Sequence, residues 1–80
     1  MNSYSQILTE TKGSVAYITL NRPEKRNALG DQLVRELISA LNEADADDSI
    51  KVVVLRGAGK DFCAGADLAQ LERWKLPRNP

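Results

Sequence analysis

The chain contains no histidine and a single cysteine, Cys63. Without histidine it cannot assemble a Ser-His-Asp or Cys-His nucleophile, nor a histidine-rich zinc site, so no metal site is expected and catalysis must come from other groups. One cysteine cannot close an intramolecular disulfide. The opening Met1-Asn2-Ser3-Tyr4-Ser5-Gln6 lacks the basic stretch and apolar run of a secretory signal. Both features suit a reducing cytoplasm. Long hydrophobic runs are absent as well, because no unbroken apolar stretch is longer than residues 52–55, far short of the ~20 residues that span a bilayer. Nor is either sign of charge in excess: 11 Lys plus Arg stand against 11 Asp plus Glu, and they are interspersed. No field therefore exists to hold nucleic acid or an anionic membrane, and neither is an expected partner. A length of 80 residues limits the chain to one small domain that buries only roughly 60% of the surface exposed when unfolded, which excludes a large self-contained enzyme.

What is present reads as an ordered set of elements. Residues 6–11 and Val15–Leu20 are rich in β-branched and aromatic side chains, and Lys12-Gly13 between them supplies a tight turn, so a hairpin is expected. Asn21-Arg22-Pro23 breaks the pattern, since Pro23 pushes Arg22 into an extended conformation and cannot donate to a ladder; a loop runs to about Gly30. Leu33, Val34, Leu37, Ile38, Leu41 and Ala44 then fall on one side of a 3.6-residue helix, predicting an amphipathic helix over Asp31–Ala46. Asp31 suits its positive end, whereas Asp45, Asp47 and Asp48 suit the other end badly and should stop it. Residues 50–56 carry an apolar run without alternation across Val52-Val53-Val54-Leu55, the pattern of a strand covered on both faces, which makes a parallel sheet the default. A loop of small residues over 57–66 leads to a second helix over about 67–74. The tail 76–80 has two prolines in its last four residues and reads as a linker or truncation point.

The small-residue loop is the most informative stretch. Cys63-Ala64-Gly65-Ala66 offers little side-chain bulk where a loop enters a helix, and the first amides of a helix have no intrahelical partner. The amide of Ala66 could thus donate to a carbonyl oxygen that becomes negative during reaction, as half of an oxyanion hole. The commoner use of such a stretch is tight packing of helix on sheet, and spacing by itself leaves both open. Two nucleotide motifs fail on inspection: Phe62 stands where a dinucleotide fingerprint starting at Gly57 needs its third glycine, and Asp61 follows Gly59-Lys60 where a phosphate loop needs Ser or Thr. Asp67 either caps the second helix, its commoner use, or serves as a base near a ligand. Cys63 has no histidine to activate it and is expected to pack as a small hydrophobe. Lys25 and Arg26 could meet a phosphate, though cations in polar loops are most often only solvated, and Trp74 is assigned to packing or an interface.

Read in order, Ile18-Thr19-Leu20-Asn21-Arg22-Pro23, Lys25-Arg26-Asn27-Ala28-Leu29, Val52-Val53-Val54-Leu55-Arg56-Gly57 and Phe62-Cys63-Ala64-Gly65-Ala66-Asp67-Leu68 resemble the N-terminal part of the crotonase superfamily, the enoyl-CoA hydratase/isomerase family. The resemblance covers about residues 5 to 72. It implies an α/β fold, the first part of a spiral of ββα units (hairpin, helix, buried strand, helix), with residues 1–80 as an N-terminal fragment of one domain. It implies that the thioester carbonyl of an acyl-CoA lies between two backbone amides, one matching Ala66, and that coenzyme A bends over both loops. Its contacts then map onto Arg26, Ala28, Ala64, Ala66, Asp67 and Leu68, mostly through backbone. No tightly bound cofactor is implied, since coenzyme A arrives as part of the substrate. A homotrimer or dimer of trimers is the assembly the family suggests. The second amide, and the glutamates that act on water and on the α-carbon, lie in a later segment of the family that these residues do not match. The alternative is a non-catalytic CoA-binding or interaction module, or a remnant whose open apolar edge invites aggregation.

Overall fold

Alternation along one strand sets the layering: Ala16, Ile18 and Leu20 point into the core while Val15, Tyr17 and Thr19 stay partly open on the other face. A computed structural model describes residues 4–65 of the chain. Its elements are β1 (Ile7–Lys12), β2 (Val15–Leu20), a single 3-10 turn (Pro23–Lys25), α1 (Asp31–Ala46) and β3 (Val52–Gly57). β1 and β2 pair antiparallel, Ile7 opposite Leu20 and Lys12 opposite Val15, so Gly13 and Ser14 form the connection. Gly13 takes φ +58°, a conformation that costs a residue without Cβ nothing. β3 lies parallel to β2, from Val15 opposite Val52 to Leu20 opposite Gly57, and α1 is the crossover between them. The expected hairpin, helix and parallel strand are therefore present. The second helix over 67–74, with Trp74, lies outside the described residues.

The core forms where α1 meets the hairpin. Ile7, Ile18, Leu20, Leu33 and Ala40 are buried together, with Tyr4, Leu29, Leu37 and Cys63 packed against them. α1 starts after Gly30 without a side-chain cap, with Asp31 in its first turn. It ends among the aspartates as expected: the amide of Asp47 donates to Ala44 O, and the Asp47 carboxylate accepts from the amide and hydroxyl of Ser49 at 2.9 and 2.6 Å. Those two bonds, the hydroxyl's first, hold the Asp47 carboxyl below its ordinary pKa. Among the described residues no helix is long and apolar enough to cross a membrane.

Two expectations about burial are corrected. The helix turns Leu33, Leu37 and Ala40 to the sheet, whereas Ile38 is 53% exposed and Leu41 is exposed too. Ala40, absent from the expected stripe, is buried because its small side chain lets the helix approach the strands. β3 begins at Val52 rather than residue 50 and is not covered on both faces among the described residues: Val52 is 51% exposed, and Val53 and Leu55 are exposed as well. The reason is placement, since α1 packs chiefly across β1 and β2 and β3 lies at the edge of the sheet.

A polar clamp ties the helix to the start of β1. The Glu36 carboxylate accepts from the amides of Ser5 and Gln6 at 3.0 and 2.9 Å, from the Ser5 hydroxyl at 3.1 Å and from Gln32 Nε2 at 2.8 Å. Burial alone would raise its pKa, but the Gln6 amide, the Gln32 side chain and the Ser5 groups outweigh that penalty and lower it. A depressed folded pKa means that the clamp contributes fully above the unfolded carboxyl's value, about 4.3, and is lost as pH falls through the lower folded value. Replacing Glu36 by Gln should therefore narrow the gap in stability between pH 7 and pH 3, read as urea midpoints against the parent chain; an unchanged gap would remove Glu36 from the acid response. In the same assay Leu33→Ala, at a site with 0% exposure, should cost about 2–5 kcal/mol, whereas Ile38→Ala should cost less than about 1 kcal/mol. Equal losses would contradict the helix orientation.

Candidate functional site

Because β2 and β3 run parallel, the loops that follow them leave the same end of the sheet, and the Leu20–Gly57 register sets them side by side. The carboxyl ends of parallel strands are where open α/β sheets place ligands. The first loop bends sharply. Pro23 starts the 3-10 turn, Lys25 N donates to Arg22 O at 3.0 Å, and Asn27 N donates to the same oxygen at 2.8 Å. Arg26 and Asn27 both adopt the left-handed region, with φ 54° and 57°. That conformation disfavours L-residues, Asn less than most, so neighbouring contacts must hold it.

Those contacts come from the Asn27 side chain, which has 0% exposure. Its Oδ1 accepts from the Arg22 amide at 2.7 Å, and its Nδ2 donates to Ala58 O at 2.9 Å and to Asp61 O at 2.7 Å. One neutral amide thus closes its own loop and anchors the second. Backbone bonds complete the seam: Ala58 N to Leu20 O at 2.8 Å, Ala64 N to Arg26 O at 2.9 Å and Leu29 N to Gly65 O at 2.7 Å. At the outer edge Arg26 Nε and Nη2 donate to the Asp61 carboxylate at 3.1 and 3.4 Å. The hydrogen bond from Arg26, then the attraction of opposite charges, raises the guanidinium's pKa further. Gly57 is required where the second loop folds back, because a Cβ there would overlap the backbone of Asp61 and Phe62.

The structure brings together three of the expected contact residues. Arg26 lies exposed on the first loop, Ala28 half-buried beside it, and Ala64 on the second loop bonded to Arg26 through its amide. Ala66, Asp67 and Leu68 lie outside the described residues; Ala66 follows Gly65 directly. Cys63 is half-buried against the core and its Sγ accepts from the Gly65 amide at 3.4 Å, so the expected packing role is met only in part. The amides of Ala64 and Gly65 are both engaged within the site. Two residues with decisive geometry, Asn27 and Asp61, had no assigned role in the sequence. Asn27 carried a faint signal, being a residue type tolerant of left-handed backbone that offers donor and acceptor together. Asp61 carried none, because its partner Arg26 is 35 positions away. Among the described residues no three His, Cys, Asp or Glu side chains converge as metal ligands.

A family model described as enoyl-CoA hydratase/isomerase matches residues 10–78. A 3-hydroxyisobutyryl-CoA hydrolase of Arabidopsis thaliana is 41% identical over 99% of the chain, which spans 22% of that relative. In a crystal structure of an enoyl-CoA hydratase from Mycobacterium tuberculosis, 95% of the chain superposes with TM-score 0.82 at 46% identity, covering 34% of that protein. An enoyl-CoA hydratase/isomerase from Xanthobacter autotrophicus gives TM-score 0.83 at 50% identity over 89% of the chain and 27% of that protein. The chain therefore corresponds to between about a fifth and a third of the length of these relatives.

The Asn27 bonds lead to a specific expectation. Asn27→Asp keeps the shape and the acceptor for the Arg22 amide, but sets an oxygen against the carbonyls of Ala58 and Asp61. The variant should lose about 3 kcal/mol at pH 7, because two buried acceptors lose their donor and a charge is buried beside them. The neutral acid, which can donate once, is favoured there, so the carboxyl's folded pKa rises. Part of the deficit should consequently disappear as pH falls below the folded pKa, relative to the parent chain. Urea midpoints at both pH values decide it, and a deficit independent of pH would contradict the donor assignment.

Proposed function

The chain belongs to the enoyl-CoA hydratase/isomerase family, and from that membership we propose that its two joined loops form part of an acyl-CoA site. The observation that carries this reading is the seam between the loops, in which the carbonyl of Arg26 accepts from the amide of Ala64 and Gly65 O accepts from the amide of Leu29. A rigid seam of backbone and small residues supports close approach of a thioester and its coenzyme A tail. Arg26, Ala28, Ala64, Ala66, Asp67 and Leu68 supply the contacts.

The amide of Ala66 acts on the thioester oxygen. In hydration, water passes a proton to a base as its oxygen bonds the β-carbon, while the C=C electron pair shifts toward the thioester oxygen; a proton then joins the α-carbon and the carbonyl returns. A fixed N–H aimed at that oxygen stabilises the enolate-like state, and losing one such donor typically costs about 2.7–4 kcal/mol of barrier. In isomerisation the same oxygen holds the charge while a proton leaves one carbon and another carbon gains one. These are activities of the whole enzyme, because the second amide and the acid-base pair belong to the family's later segment. The hydrolase name of the Arabidopsis relative favours a second reading, in which water attacks the carbonyl carbon itself. Water gives up a proton, the oxyanion forms on the same thioester oxygen, and the C–S bond then breaks as the carbonyl returns and the coenzyme A thiolate leaves, so the same amide serves. Coenzyme A enters as part of the substrate with no separate tight cofactor. A cytoplasmic location and assembly as a homotrimer or dimer of trimers belong to the same proposal.

The test is a titration of the chain with coenzyme A and with crotonyl-CoA, following the enoyl-thioester absorbance. Binding of both without loss of absorbance is expected; turnover by the pure chain would mean that it already holds the acid-base groups. Ala66→Pro removes one amide hydrogen, since proline has no backbone N–H. It should weaken crotonyl-CoA binding by roughly fivefold while leaving coenzyme A nearly unchanged, since only the thioester has the carbonyl. Equal effects on both ligands would remove Ala66 from the oxyanion role.

A further inference from the structure

We propose that Asp61 is a positioning residue, which holds the Arg26 guanidinium so that its free edge receives a phosphate of the coenzyme A portion of the substrate. The inference rests on the acyl-CoA reading above and adds a residue that reading does not use. Its basis is the geometry of the pair. A guanidinium carries five N–H groups in one plane, forming two forks: one side-on, through Nε and one Nη, and one end-on, through both Nη atoms. The Asp61 carboxylate takes the side-on fork, with Nε at 3.1 Å and Nη2 at 3.4 Å. Among the described residues the end-on fork, one hydrogen of Nη1 with the remaining hydrogen of Nη2, is left as the edge that matches two phosphate oxygens.

Both partners are fixed by their backbones, which sets this pair apart from an ordinary surface bridge. Arg26 is pinned in left-handed conformation with its carbonyl accepting from Ala64, and the Asp61 carbonyl accepts from the buried Asn27 amide. Yet the Arg26 side chain is 71% exposed, so it contributes little to stability and remains available to an anion. It emerges on the seam between the loops assigned to coenzyme A. Asp61 therefore restricts the rotamers of a long cation before the ligand arrives, and the entropy of ordering it is spent in folding rather than in binding.

The proposal makes a prediction of opposite sign to simple charge counting. Removing a carboxylate beside a polyanion site should tighten binding if Asp61 only competes for Arg26. If Asp61 positions Arg26, Asp61→Ala should weaken coenzyme A by roughly fivefold, and Asp61→Glu should recover part of the loss. The experiment is calorimetric titration of the full 80-residue chain with coenzyme A and with dephospho-coenzyme A, for Asp61→Ala, Asp61→Glu, Arg26→Ala and the Arg26→Ala/Asp61→Ala double variant. Asp61→Ala should cause no further loss once Arg26 is gone, whereas general damage to the loop would still weaken binding. A loss confined to coenzyme A assigns the contact to its terminal phosphate, and a loss shared by dephospho-coenzyme A assigns it to the diphosphate; both support positioning. Unchanged or tighter binding by Asp61→Ala, with Arg26→Ala weakened, overturns positioning and leaves the acyl-CoA reading standing. Unaltered binding by Arg26→Ala overturns positioning and leaves the acyl-CoA reading standing, whereas no binding by the parent chain overturns both.

Discussion

The buried side chain of Asn27 is the contact on which the rest of the site depends. It is a polar group with no access to water, and its removal from solvent is offset by hydrogen bonds at 2.7, 2.9 and 2.7 Å that use its acceptor and both donor hydrogens. Two of those bonds reach the second loop and one closes the first. The left-handed backbone at Arg26 and Asn27 is held by this arrangement, since the bend accompanies delivery of the amide to all three partners. A charged residue cannot replace it: a carboxylate lacks the donors, and an ammonium lacks the acceptor for the Arg22 amide.

Sheet topology brings that amide within reach of its partners. In a parallel pair both strands end on the same side, so the chain needs α1 as a crossover but gains two loops at a common edge. Leu20 opposite Gly57 aligns the exits, and Ala58 N to Leu20 O at 2.8 Å extends the ladder by one bond past the end of β3. Gly57 then admits the returning backbone of Asp61 and Phe62, where any side chain would collide with main chain. The α1 packing has the complementary task. Leu33 and Leu37 hold the helix on β1 and β2, and Leu29 and Cys63 join the same core from the two loops, so that the site rests on the best-buried part of the molecule.

Local rules carried the fold far. The β-branched and aromatic content of Val15–Leu20 marked β2, Pro23 marked the loop, and the aspartates at 45, 47 and 48 marked the end of the helix, because each of these is decided by a residue and its near neighbours. The errors arose where a distant element decides. Ala40 rather than Leu41 faces the sheet because helix rotation is set by how closely α1 can approach the strands. An apolar β3 was read as covered, yet the helix that would cover it lies over the hairpin. The site divides in the same way. Small residues and cations on two loops were visible as possible ligand contacts, whereas Asn27 and Asp61 acquire meaning only through partners 31 to 35 positions away.

On the proposed acyl-CoA reading, a site made largely of backbone also accounts for relatives that carry different names. Amide donors serve any reaction in which charge gathers on a thioester oxygen, and they constrain side chains only by demanding small ones where the ligand approaches. The loops can therefore stay alike while the chemistry changes, as with a hydrolase at 41% identity and a hydratase at 46% over nearly the whole chain. What separates adding water to a carbon–carbon double bond from attack on the carbonyl is the position of the acid-base groups relative to the held thioester. Those groups act on carbon and on water, not on the oxygen, so they have no reason to reside in the loops proposed to hold it. On the acyl-CoA reading proposed above, a segment built around Asn27 would serve the part of the task common to these reactions, which is to fix the thioester and its nucleotide tail in one place.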